Sequence, residues 1–266
     1  MTAPSVQLYT VRDAIAADLH AAVARVAEIG FTKVEPYAFV ERAPEYEKAL
    51  AAAGLAAPSG HAATIDSPDP AAIFDAANRL GIGTVIDPFI PSDRWQTADD
   101  AARLAERVNE LQVEAAAAGL RFGYHNHNWE FSNRVDGRPV YELFLEQLSP
   151  DVVLEVDTFW STVGGADTPA FLRSLGERVQ FLHIKDGPVV GDIADVLPSS
   201  ESALKVPESL TAAFETQVPA GSGDANVPAI LAAAPHALRI VEFDGYDGDP
   251  FDGIALSLQW LAENDR

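Results

Sequence analysis

Cysteine is absent from the 266 residues. That excludes disulfides, thiolate nucleophiles, iron–sulfur clusters and Cys-ligated zinc. Cationic side chains are scarce: Lys and Arg total 18 against 40 Asp and Glu, a formal net charge of −22. Such a surface repels phosphate backbones and anionic lipid, so neither nucleic acid nor a membrane is expected as a partner. No apolar run approaches the ~18 residues of a membrane span. The opening Met1-Thr2-Ala3-Pro4-Ser5 lacks the basic-then-apolar pattern of a leader. A cytoplasmic protein is the expectation, and hydrophobic residues at 48% with charged residues at 22% give it globular composition.

Short apolar runs alternate with longer Ala-rich stretches of helical spacing. Strands are predicted over 6–9, 33–36, 55–61, 84–87, 121–125, 152–157, 179–185 and 238–243. Helices are predicted over 18–30, 44–54, 70–81, 98–119, 140–148, 169–176, 227–234 and 251–261. Residues 187–222 are punctuated by Pro, Ser and Gly and read as a long loop. Eight strand–helix units in order predict a parallel sheet. At this length the best fit is a single (β/α)₈ TIM barrel, an α/β fold with one domain over 1–266. A doubly wound open sheet is the alternative, but Thr10-Val11-Arg12-Asp13 after the first strand is nothing like a Gly-rich dinucleotide turn.

Barrel chemistry sits at the C-terminal ends of the strands. There the chain has His61, then His125-Asn126-His127 with Glu130 behind, Glu155 and Asp157, His183 and Lys185, and Glu242 with Asp244; strand two carries Glu35. Carboxylates converging on one pocket repel one another, and a divalent cation removes the repulsion. Oxygen and imidazole ligands without sulfur suit Mn²⁺, Mg²⁺ or Co²⁺. Buried ion pairing is the plainer reading of the same residues. Trp129 and Trp160 follow strand ends, as sugar-stacking platforms or as rim packing. Gly221-Ser222-Gly223 before a helix offers backbone N–H groups to an anion, or is only a flexible loop end.

Over nearly its whole length the chain resembles the sugar phosphate isomerase/epimerase family of xylose isomerase-like barrels. The resemblance rests on Val6-Gln7-Leu8-Tyr9-Thr10-Val11-Arg12-Asp13, Gly123-Tyr124-His125-Asn126-His127-Asn128-Trp129-Glu130-Phe131, Glu155-Val156-Asp157-Thr158-Phe159-Trp160, Phe181-Leu182-His183-Ile184-Lys185-Asp186 and Val241-Glu242. It implies one divalent metal, Mn²⁺ foremost, with Asp157, His183 and Glu242 as ligands. Glu130 is assigned as the fourth, and His125 or His127 stays open for that place. It implies proton abstraction beside a carbonyl of a sugar, with His125, His127, Glu242 and Lys185 as catalytic candidates. His61, Trp160 and Glu155 are the substrate-binding candidates. The same constellation serves a lyase or dehydratase that eliminates a β-substituent from a keto sugar, for example a 3-keto-glycoside. A non-catalytic sugar-binding or accessory subunit is a third reading. Relatives often form homo-oligomers, so one is expected here. The related abasic-site endonucleases are disfavoured by the charge and by the low count of six His. The stretch 192–217 is longer and more irregular than a plain connection and is expected to shape or lid the pocket.

Overall fold

A computed structural model describes residues 2–189 and 213–265. Eight parallel strands form the central sheet: β1 Ser5–Gln7, β2 Lys33–Glu35, β3 Ser59–His61, β4 Thr84–Asp87, β5 Arg121–His125, β6 Val153–Asp157, β7 Val179–Ile184 and β8 Leu238–Val241. Their order is β2-β1-β8-β7-β6-β5-β4-β3. The two ends of that series meet. His61 N donates to Pro36 O at 2.8 Å, Ala38 N to His61 O at 3.0 Å and Val34 N to Ala56 O at 2.9 Å. The sheet therefore closes on itself as a TIM barrel.

Helices cover the outside: α1 Leu19–Ile29, α2 Ala43–Ala53, α3 Pro70–Leu80, α4 Ala98–Ala117, α5 Val140–Leu145, α6 Thr168–Leu175, α7 Val227–Ala233 and α8 Pro250–Asn264. Local chemistry sets their ends. Asp18 caps α1 by accepting from Ala21 N, and Gly30 stops it with φ 117°. Thr97 and Asp100 form a reciprocal capping box on α4, whose Leu104, Val108, Leu111 and Ala115 are buried. Strands covered on both faces carry no polar outer side. Their inward positions are therefore free to differ from the rest of the core.

Those inward positions form two decks. At the base, Ile86, Val153, Phe181 and Ile240 make an apolar cluster of their own. Two residues onward on the same strands, the period of a pleat, stand Glu155, His183 and Glu242. Gly123 lets β5 and β6 meet inside the barrel. A Cβ there would lie 2.5 Å from Val153 O and 2.7 Å from Ile86 Cδ1. Gly123→Ala is accordingly expected to cost about 2–3 kcal/mol as overpacking. Thermal melting would show it as a fall of about 5 °C; an unchanged Tm would refute the clash.

Several expectations are corrected. β1 ends at Gln7, whose Oε1 accepts from Tyr9 N and turns the chain into a 3₁₀ helix at Leu8–Val11. Short helices at Arg12–Ala17, Trp129–Ser132 and Thr158–Val163 follow strand ends where no element was predicted. Arg134–Val135 pairs antiparallel with Arg138–Pro139. Asp136 and Gly137, both at positive φ, make its turn, the Asp-Gly signal of a tight hairpin. Of the expected pocket-shaping stretch, 192–212 lies outside the described residues.

Candidate metal and active site

Strand register brings the polar deck together at the C-terminal mouth. Gln7 is level with Glu35, His125 with Glu155, and Asp157 with His183. All of these are buried. Glu155 Oε1 lies 2.6 Å from His61 Nε2, 3.0 Å from His125 Nδ1 and 3.1 Å from His183 Nε2. Glu35 Oε2 accepts from Gln7 Nε2 at 2.8 Å and lies 2.7 Å from His183 Nε2. The other nitrogen of His183, Nδ1, is 2.5 Å from Glu242 Oε2. Lys185 Nζ reaches Asp157 Oδ2 at 2.9 Å, Glu242 Oε2 at 2.8 Å and Asp244 Oδ2 at 2.8 Å.

Asp157 is fixed from behind. Its Oδ1 accepts from Phe159 N at 3.0 Å and Trp160 N at 2.8 Å, capping the short helix that follows. Asn126 exchanges two hydrogen bonds with its backbone. Asp244 Oδ2 also accepts from Trp160 Nε1 at 3.0 Å and Gln217 Nε2 at 2.9 Å. Trp160 is thus held by its indole N–H at the pocket wall.

Two overlapping sets of groups lie close enough to share one metal ion: His61, His125, Glu155 and His183, and His125, Asp157, His183 and Glu242. The donor chemistry is all carboxylate and imidazole, and a cation fits it. Glu35 Oε1, Glu155 Oε2 and Asp157 Oδ2 are buried without hydrogen-bond partners, although Lys185 reaches the last as an ion contact. Orphaned buried acceptors of this kind call for a partner. The cluster can bind a metal.

The second set contains three of the four expected ligands, and His125 stands where Glu130 was expected. Glu130 belongs to neither set. Its Oε1 accepts from Tyr124 Oη at 2.7 Å and its Oε2 from His127 N at 3.0 Å, behind the mouth. Glu155 and His61, expected at the substrate, stand within the first set, and His61 also lines the cavity above it. Glu35 carried a visible signal, a carboxylate at a strand end, without being assigned a role. Gln7 gave none.

Electrostatics differentiates these groups. Burial opposes charge on His183, yet Glu155 and Glu242 raise its pKa well above the ordinary imidazole value. His61 is raised for the same reason by Glu35 and Glu155 against burial. Burial lowers His125 to about 3, with His183 adding to it. Burial, then His125, holds His127 well below its usual value. Glu242 goes down despite burial, because Lys185 and His183 face it. Burial pushes Asp157 up to about 6 against the pull of Lys185.

Above the cluster lies a cavity of about 530 Å³ lined by His61, His125, His127, Lys185, Glu242 and Asp244 on its polar side. Gly221-Ser222-Gly223 takes no part in it. Gly223 N and Ala225 N donate to the buried Asp186 carboxylate, at 2.9 and 3.1 Å. That carboxylate occupies the place an anion would take. His20 and His236 are exposed. Among the described residues, no helix is long and apolar enough to cross a membrane.

The model of the xylose isomerase-like TIM barrel family matches residues 23–263. No curated protein sequence matches the chain. Among solved structures, a sugar phosphate isomerase/epimerase from Parabacteroides distasonis is 22% identical, with 98% of this chain and 94% of that one covered and a TM-score of 0.75. The IOLI protein with a binding zinc atom is 12% identical, covering 98% and 97%, TM-score 0.71. A probable 3-DHS dehydratase, AsbF, from Bacillus anthracis is 13% identical, covering 100% of each, TM-score 0.69. At these identities the likeness is one of fold.

Proposed function

The chain belongs to the xylose isomerase-like TIM barrel family, and on that premise we propose that it is a divalent-metal-dependent sugar isomerase or epimerase. The observation that carries this reading is the convergence of His125, Asp157, His183 and Glu242 on one point at the floor of a cavity. These four residues would hold the metal, with Mn²⁺ the proposed ion. When bound, it supplies positive charge beside the oxyanion that develops as a carbonyl substrate loses its α-proton.

The chain's own groups do the rest. His127 lines the cavity, and its Nδ1 is buried without a partner. Burial keeps the ring neutral, so the ring is the proposed acceptor of the α-proton, through the nitrogen that is not walled off. Lys185, charged and pinned by three carboxylates, steadies the enediolate oxygen. Return of the proton to the neighbouring carbon gives isomerisation. Return to the opposite face of the same carbon gives epimerisation.

Elimination is a second reading, supported by the probable dehydratase among the similar structures. The same proton removal, followed by loss of a β-substituent, gives a lyase. The test is solvent deuterium exchange into a panel of keto sugars, with chelated protein and with added Mn²⁺. Metal-dependent exchange beside the carbonyl is expected, and product analysis then separates isomerase from lyase. Sugar binding with no exchange would instead favour a non-catalytic subunit.

A further inference from the structure

His125 and His183 belong to both metal-competent sets, and each divides its two nitrogens between them. His125 Nδ1 lies 3.0 Å from Glu155 Oε1, and its Nε2 lies 3.7 Å from Asp157 Oδ2. His183 Nε2 lies 3.1 Å from Glu155 Oε1, and its Nδ1 lies 2.5 Å from Glu242 Oε2. A neutral imidazole has one accepting nitrogen and one N–H. It ligates an ion through the first and donates a hydrogen bond through the second. The two sets are therefore alternatives, and the carboxylate of the set left without an ion becomes the acceptor for both rings.

Depth and donor chemistry decide between them. Val153, Glu155 and Asp157 follow one another at the pleat period of β6, so Glu155 stands one step below Asp157 and further from the mouth. Glu242 lines the cavity, whereas Glu155 is buried outside that lining. An ion that takes substrate needs an open position toward the cavity. The second set also brings two carboxylates where the first brings one, which suits Mn²⁺ better. Glu155 then lies behind the ion. It is itself held there, with Oε1 2.6 Å from His61 Nε2, and the His61 ring lies parallel to His183. Glu35, which accepts from Gln7 Nε2, backs His183 as well. For His125 Nδ1 the partner is Glu155.

We propose that Glu155 is a positioning residue of the metal centre. Its Oε1 accepts from His125 Nδ1 and His183 Nε2, and so presents His125 Nε2 and His183 Nδ1 to the ion beside Asp157 and Glu242. This inference rests on the ligand set proposed above, which it deepens. Carboxylates that orient metal-bound imidazoles in this way fix the ring and its ligating nitrogen, and losing one weakens metal binding about 10–100-fold.

The test is Mn²⁺ and Co²⁺ affinity, read by competition with a chromophoric chelator. It compares the parent with Glu155→Gln, Glu155→Asp and Asp157→Asn. Glu155→Asp keeps the negative charge but draws the oxygen back from both rings. Both Glu155 variants are expected to bind about 10–100-fold more weakly than the parent. A carboxylate that mattered only for its charge would leave Glu155→Asp at parent affinity. That result, or parent affinity in Glu155→Gln, overturns the proposal. X-ray absorption by the Co²⁺-loaded parent depends on no variant folding. Two imidazoles around the ion are expected. Three would make Glu155 a ligand in the first set and overturn the proposal. The ligand set fails by a separate result: parent affinity in Asp157→Asn rejects it, while parent affinity in the Glu155 variants rejects the positioning role alone. A parent that binds neither ion rejects both.

Discussion

Asp157→Asn is expected to lose bound metal and turnover together while the barrel stays folded. The substitution is nearly isosteric, and the retained Oδ1 still accepts from Phe159 N and Trp160 N. What changes is the other atom. Oδ2, which faces Lys185 Nζ at 2.9 Å and belongs to a metal-competent set, becomes an amide that presents hydrogens to cations. A Lewis-acid contribution of several kcal/mol corresponds to a loss of at least about 10³-fold in kcat. Metal analysis after dialysis should fall from about one ion per chain toward none, with near-parent melting behaviour. Full activity in the variant after metal stripping would reject the metal-dependent mechanism.

Glu130→Gln is expected to make the protein more stable at alkaline pH and to leave its metal content unchanged. Burial pushes Glu130 up to about 8 from an ordinary value of 4.5. The folded state therefore binds a proton that the unfolded state releases. The resulting stability is complete below pH 4.5 and is lost as pH rises to about 8. The loss is on the order of 4 kcal/mol. An amide cannot ionise, and it can still accept from His127 N and donate to the Tyr124 oxygen. Denaturant melts at pH 9 should favour the variant by on the order of 3–4 kcal/mol, with little difference at pH 4.5. Parallel pH profiles for the two proteins would show that Glu130 is not the source. Loss of metal in the variant would return Glu130 to the ligand set.

The fate of Glu130 shows where sequence reading stopped. Thr84–Asp87 and Arg121–His125 were legible to the residue because β-branched and aromatic runs are bounded there by Gly83 and by the turn after α4. The parity of inward positions was legible too: His125, Glu155, Asp157 and His183 fall on one side of their strands and meet at the mouth. Glu130 lies past the end of β5, inside the four-residue helix Trp129–Ser132. A helix swings its side chains by a period that the strand pattern does not extrapolate. There the carboxylate turned back onto Tyr124. Gln7 was hidden for another reason. A neutral amide shows no charge anomaly in sequence, and only the register with Glu35 reveals its role.

The two-deck interior has an evolutionary consequence. Ile86, Val153, Phe181 and Ile240 close the base as a cluster separate from the shell between strands and helices, and no side chain of the mouth belongs to it. Replacing His61, Glu155 or Glu242 removes no apolar side chain from that plug or from the layer outside it, and acts on stability through the buried charges it leaves unpaired. Foldability and reactivity are therefore encoded at different positions of the same strands. A saturation library should divide accordingly, with sites that forbid exchange because the chain no longer accumulates and sites that accept many residues and only alter what is made. The second kind is the raw material from which one ancestral barrel yields descendants of unlike chemistry.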